Sequence, residues 1–222
     1  MRDEKRKKRH AEIVRVTYIL LNEKGYGGTS MLSIAKAAKA SNETLYLWYG
    51  DKRGLFEAMA RDNAAETKAL LEQARGDNDA PLEALARISP VFLGMLLDDR
   101  AIALNRAAAS DQTGEIGAAI SAGGREVIRP LFDELFNSIH MAYVVDVKNL
   151  TEIFLGVLIG DLQSRRIIGV LPQPSSKQID ERCDVAVKLI RTLVKYEKRL
   201  KMKSPAGEGG AKGGNDEKTA WF

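Results

Sequence analysis

The sequence predicts an all-α chain of about nine helices, with an N-terminal three-helix helix-turn-helix domain ahead of a larger C-terminal helical domain. Three observations carry this. Apolar residues recur at spacings of three and four along most of the chain, the period of one helix face. From residue 51 onward clusters of β-branched residues are few and hairpin signals are missing, and the stretch 52–74 is rich in the strong helix formers Ala, Leu, Glu and Lys. The interruptions are short groups of Gly, Pro, Asp and Ser, which end helices through their backbone preferences.

The elements follow in order. Residues 1–10, MRDEKRKKRH, form a basic arm ahead of a first amphipathic helix over 13–21. Thr29 and Ser30 are cap types, whose side-chain oxygen satisfies a free N–H at a helix start. Met31, Ile34, Ala35 and Ala38 then share a core-facing side, leaving Ser33, Lys36 and Lys39 in water. Ala40 closes a turn, and Ser41 or Asn42 caps the next helix. There Leu45 and Tyr49 face inward, Glu43, Thr44, Leu47 and Trp48 point outward, and Tyr46 sits at the margin. Gly50 ends that helix, and Asp51 caps another, so Lys52 falls in its first turn.

That helix breaks at residues 76–81, with Pro81 suited to a first helical turn. Further helices are predicted over 82–97, 100–109, 114–139, 147–168 and 177–200, with Pro130 kinking the third of these. The domain boundaries are read as 1–50 for arm and helix-turn-helix, 51–200 for the larger helical domain, and 201–222 for a disordered tail. In that tail the glycines of 207–214 have no flanking strand or helix pattern, so they are not a phosphate loop. Trp221 and Phe222 end it.

Exposed Tyr46 and Trp48 beside Thr44 and Lys52 suit a DNA duplex, with hydroxyls and ammonium on phosphates and other side chains reaching base edges. The same apolar pattern also serves three-helix units that never touch DNA. Charge favours the duplex. Residues 1–60 hold twelve Lys/Arg against seven Asp/Glu, a net of +5, while the whole chain is only +4. The entire excess therefore sits at this end, where a basic arm can follow phosphates or enter a minor groove.

The segment Gly25-Tyr26-Gly27-Gly28-Thr29-Ser30-Met31, then Ile34-Ala35, Thr44-Leu45-Tyr46, Lys52 and Leu55-Phe56, resembles the N-terminal domain of TetR-type transcriptional regulators over about the first 60 residues. The resemblance implies a second helix whose start, at Thr29 and Ser30, meets a phosphate. It implies backbone and base contacts at Thr44 and Tyr46, and a phosphate-holding lysine at Lys52. Asn42, Glu43 and Leu47 match positions where members set sequence preference. Two positions depart from the pattern. Trp48 stands where a smaller ring is common, and Lys39-Ala40 replaces glycine-valine in the turn, where Lys39 adds a phosphate contact. The run 106–136 is similar, more weakly, to the AefR-like subgroup. The resemblance also implies a bacterial cytoplasmic protein, a homodimer on a palindromic operator, and repression relieved by a small apolar or amphipathic effector.

In the last helix Ile179, Cys183, Ala186, Ile190 and Leu193 form an apolar seam at alternating spacings of four and three, widened by Val187 and Val194. In the preceding one, Ile153, Phe154, Val157 and Leu158 make an apolar face, and Gly156 and Gly160 permit close approach. The resemblance makes these two helices, through Ile153, Val157, Gly160 and the seam, the dimer interface; tight packing within one subunit is the alternative. An effector pocket is assigned to Phe92, Met95, Leu96, Leu104, Asn105, Phe132, Phe136 and Phe154, with Leu135, Asp161 and Gln163 nearby; ordinary core is the alternative for each.

Other classes are poorly served. His10 and His140 have no cysteine or carboxylate cluster at ligand spacing, and neither a Walker A sequence nor a nucleophile elbow occurs, so no enzyme, metal or cofactor is expected. No apolar run approaches 18 residues, a hydrophobic content of 45% supports a sizeable core, and one cysteine precludes a disulfide framework. Two rivals stay open: a regulator controlled by a partner protein without a ligand pocket, and a helical interaction or ligand-binding protein lacking specific DNA reading.

Overall fold

Caps and glycines decide where each helix begins and ends. The structure is a computed structural model that describes residues 2–76, 80–143 and 149–203. The basic segment is not an arm but the opening of α1, Arg2–Lys24. It contains neither Gly nor Pro, sets Asp3 and Glu4 in the first turn, and pairs Glu4 with Lys8 one turn on at 3.2 Å.

Ser30 caps α2 (Met31–Ala37) in a reciprocal pair with Ser33, and Ser41 caps α3 (Asn42–Tyr49) by accepting from the Thr44 amide at 3.0 Å. Gly50, at φ 77°, stops α3. The Asp51 carboxylate accepts from Gly54 N at 2.8 Å and starts α4, Lys52–Gly76. α5 (Pro81–Leu97) begins on its proline and runs on through Pro90; α6 (Asp99–Ala109) is capped by Asp98.

Two of the predicted stretches are each divided. Gly124 separates α7 (Glu115–Gly123) from α8 (Arg125–Tyr143), and Gly160, at φ 50°, separates α9 (Leu150–Ile159) from α10 (Leu162–Ile167). Pro130 lies inside α8, which continues past it. α11, Ser176–Lys203, extends into the segment read as tail. The rest of that tail, with its glycine run, Trp221 and Phe222, lies outside the described residues, as do Val147 and Lys148. Among the described residues the nine foreseen stretches become eleven helices, and none is long and apolar enough to cross a membrane.

Two cores share one helix. Ile13, Ile34, Leu45, Leu55, Phe56 and Met59 centre the first, and α6 and α7 add Ala103, Leu104, Ala107 and Ile116 to it. Ala64 and Leu71, farther along α4, belong to the second core, built on Leu85, Leu93, Phe132, Phe154 and Ile190. α7 lies so close to α4 that a Cβ on Gly123 would stand 2.2 Å from the Glu57 carbonyl oxygen. The buried Arg166 fastens α10 to the corner between α5 and α6, donating to the Leu97 carbonyl at 3.1 Å and to Asp99 at 2.7 Å. A cation on the last carbonyls of α5 is favoured by that helix's dipole.

Candidate nucleic-acid interface and ligand cavity

Burial of Leu45 turns the opposite side of α3 to water. Leu47 is 81% exposed and Tyr46 49%, Asn42 and Glu43 are exposed, and Thr44 is half-exposed with its hydroxyl 2.6 Å from that of Ser41. Glu43 and Leu47, four residues apart, occupy the middle of this face. Second helices of helix-turn-helix units enter the major groove with such a face. Trp48 is not on it. Its ring is half-buried against the first core, with the Arg6 guanidinium 5.3 Å above, because its side of α3 faces α1.

Other foreseen contacts are distributed unevenly. Ser30 is exposed at the start of α2, but Thr29 is buried and donates its hydroxyl to the Gly25 carbonyl at 2.8 Å, tying down the preceding glycine turn. Lys52 donates to the Tyr26 carbonyl at 2.9 Å with its ammonium 3.5 Å from the Tyr26 ring centre. Burial lowers its pKa, with Asp111 opposing. Lys39 is exposed in the turn and adopts φ 51°, the left-handed geometry that explains why glycine suits this place.

α1 holds this reading head in place. Arg9 donates to the carbonyls of Ala38 and Lys39 at 3.1 and 3.2 Å, bracing the turn between α2 and α3. His10 lies between Tyr49, the last residue of α3, and Asp62 of α4. A carboxylate only accepts, so the imidazole Nε2–H donates to Asp62 at 2.6 Å, while Nδ1 and the Tyr49 hydroxyl share a hydrogen bond of 2.7 Å. Burial, then Asp62, pushes the Tyr49 phenol up to about 12. Nothing in the sequence pairs His10 with Tyr49, because they meet only through tertiary packing.

Among helices α4 to α10 lies a cavity of about 700 Å³. Of the residues assigned to an effector pocket or placed near it, Phe92, Met95, Leu96, Leu104, Asn105, Phe132 and Gln163 line this cavity. Phe136, Phe154, Leu135 and Asp161 do not: the rings of Phe136 and Phe154 pack tilted against each other, centres 5.4 Å apart, in the second core, and Leu135 is buried there too, while Asp161 is exposed. The space exists because small residues stand where larger ones would fill it, among them Ala60, Ala64, Ala101, Gly117 and Gly156. Polar groups missed in the sequence also reach it. Asn63 brings a buried amide nitrogen, and Ser121, Arg125, Arg129 and Glu152 stand at its edge. Arg129 is tied to Asp133 at 3.0 Å and to Glu152 at 3.5 Å, whereas Arg125 is exposed with no ion pair among the described residues. The run of small residues at core spacing, Ala60-x-x-Asn63-Ala64, is the sequence signal that marks the cavity wall.

The apolar seam of α11 turns inward. Cys183, Ala186 and Ile190 are buried in the second core, and Ile179 and Leu193 pack against it, so these five face their own subunit. The opposite stripe of α11 is the open one, with Val185 56% and Tyr196 59% exposed and Leu189 half-exposed between them. Beside it, α9 leaves Ile153, Gly156 and Val157 wholly or partly in water, and Arg182 covers Gly160. Among the described residues no group of three or more His, Cys, Asp or Glu is placed to hold a metal.

The sequence profile of bacterial regulatory proteins of the tetR family matches residues 13–59, from the middle of α1 to the second turn of α4. That family consists of regulators rather than enzymes. No curated protein matches the chain. Solved structures match nearly its whole described length. A protein described as a TetR-family transcriptional regulator of Mesorhizobium loti MAFF303099 is 20% identical, with a TM-score of 0.66 over 84% of this chain and 96% of its own. A TetR transcriptional regulator of Agrobacterium tumefaciens is 24% identical, with a TM-score of 0.63 over 85% and 98%. The transcriptional regulator FadR of Bacillus subtilis, solved in complex with stearoyl-CoA, is 14% identical, with a TM-score of 0.61 over 83% and 97%. These likenesses show the fold.

Proposed function

We propose that this protein, whose residues 13–59 are a tetR-family DNA-binding domain and whose remaining helices fold as in that family's solved members, is a homodimeric transcriptional repressor of a bacterial cytoplasm. It reads a palindromic operator and is released from it by a small apolar or amphipathic effector. The observation that carries the reading is the outward face of α3, where Tyr46, Leu47 and Glu43 are exposed on a helix capped by Ser41 and braced by Arg9 and His10. An exposed leucine and tyrosine on a net-positive domain need a partner that offers both phosphates and apolar base edges.

Dimerisation is supported by the open stripe of Val185, Leu189 and Tyr196 on α11 beside Ile153, Gly156 and Val157 of α9. A second copy seated there buries this apolar surface and sets two α3 helices one DNA turn, about 34–36 Å, apart. The cavity supports an effector over control by a partner protein alone. FadR of B. subtilis holds stearoyl-CoA, an amphipath, and the exposed Arg125 at the cavity edge suits an anionic head group.

Selection of sites from random duplex DNA at rising salt tests the reading. A dimeric reader enriches a two-fold symmetric sequence; sequence-blind binding that salt abolishes would leave only a phosphate grip. Tyr46→Ala then weakens the selected site, and Lys52→Ala, which removes an ammonium with two further N–H groups to offer a phosphate, makes the salt slope shallower by about one unit.

A further inference from the structure

We infer that Glu43 and Leu47 are the base-reading pair of this protein, Glu43 accepting a hydrogen bond from a cytosine amino group and Leu47 packing on a neighbouring thymine methyl. This rests on the DNA-binding reading above and adds the chemistry of the bases chosen. Glu43 is the one acidic side chain in α2 and α3, and it is exposed with no ion pair or hydrogen bond among the described residues. Glu4, Glu12, Asp51 and Glu57 of the same domain are each paired with a nearby Lys or Arg. Asp3 and Glu23, like Glu43, have no such pair among the described residues, but they lie on α1, away from the outward face of α3.

An unpaired carboxylate at the centre of a face that must approach phosphates opposes binding to DNA in general. That opposition is relieved only where a base edge supplies a donor. In the major groove an acidic side chain finds this in the cytosine N4 amino group. Position favours the same reading. Glu43 is in the first turn of α3, and N-terminal residues of such helices contact base edges. Leu47 stands one turn on along the same side, 81% exposed and without any polar atom. The groove's apolar feature is the thymine C5 methyl, about one to two base steps away at the 5–6 Å separation of residues four apart on a helix. Tyr46 and the Ser41–Thr44 hydroxyl pair lie on either side of these two, where the phosphates run. The pair therefore discriminates by one repulsive and one apolar element rather than by attraction alone.

The test is site selection with the full chain as wild type, Glu43→Gln and Leu47→Ala, followed by affinity measurement on the wild-type site with its thymines replaced singly by deoxyuridine. The wild type enriches a cytosine and a nearby thymine in each half-site. Glu43→Gln loses the cytosine preference while binding random duplex more tightly. One deoxyuridine substitution weakens wild type about tenfold and leaves Leu47→Ala unaffected. A wild-type palindrome that Glu43→Gln selects unchanged, or one whose deoxyuridine forms all bind equally, overturns the pair assignment and leaves the regulator reading standing. Failure of the wild type to select any symmetric site removes both.

Discussion

The imidazole of His10 in α1 and the hydroxyl of Tyr49 at the end of α3 lie 2.7 Å apart, with Asp62 of α4 on the far side of the ring. Three helices of the reading head are joined at one side chain. The phenol stays protonated to about 12 in the fold, against about 10 in the unfolded chain. The folded form therefore keeps a proton that the unfolded form loses, so the phenol's contribution is complete below about pH 10 and is lost as pH rises through about 12. Tyr49→Phe should flatten that alkaline loss by about 1 kcal/mol, allowing for a half-exposed ring. Urea midpoints for both proteins at about pH 9 and about pH 11.5 check this; equal losses would dissociate the phenol from the effect.

Lys39 holds φ 51° with a side chain that resists it. Lys39→Gly should stabilise the fold by about 0.5–1 kcal/mol, since the left-handed strain disappears and part of the gain is offset by the freer unfolded chain. The same variant should bind its operator more weakly with a shallower salt slope, because a cation is gone. Denaturation and filter-binding titrations must move in opposite directions.

Gly123→Ala should destabilise by about 2 kcal/mol or more, because its methyl meets the Glu57 backbone rather than a side chain that can turn aside. Gly117→Ala is the control. Nothing lies within 4 Å of its Cβ position, so the helical preference for alanine should leave stability unchanged or up to about 1 kcal/mol higher. Equal effects from the two would remove the close α4–α7 crossing as the cause.

Val185→Glu should yield folded monomers that no longer hold the palindrome, whereas Ile190→Asp should unfold the subunit, because it places a charge in the second core. Sedimentation velocity with circular dichroism separates the two outcomes. A Val185→Glu protein that remains dimeric would move the interface off this stripe.

Cys183 should resist thiol reagents in the native protein and react on unfolding. Burial and the neighbouring Asp180 and Asp184 push its thiol up to about 12, so the reactive thiolate is scarce at neutral pH. Reaction with a chromogenic disulfide before and after adding denaturant measures it.

Much of this was legible in the residues. Caps at Ser30, Ser41 and Asp51, the stop at Gly50 and the inward Leu45 are local features whose physics spans one helical turn. The helical state of residues 2–10 was not, because a segment that is polar all round gives no periodic signal. α11 carries two apolar stripes, Cys183-Ala186-Ile190 and Val185-Leu189, and only the packing of α5 and α9 tells which one faces home. The cavity escaped in part for a related reason: side chains that fill space announce themselves in a sequence, while those that leave it empty do not.

α4 belongs to both cores, Leu55 to Met59 in one and Ala64 to Leu71 in the other, along 25 residues and roughly 37 Å without a break. The boundary between the helix-turn-helix unit and the larger helical domain is therefore not a linker but the middle of one unbroken helix. Grafting another reading head onto this larger helical domain would demand more than joining two chains. The donor's helix must arrive in the same rotational phase, since a single residue inserted near Arg61 would turn every side chain beyond it by about 100° and aim Asn63 and Ala64 away from the cavity they now wall.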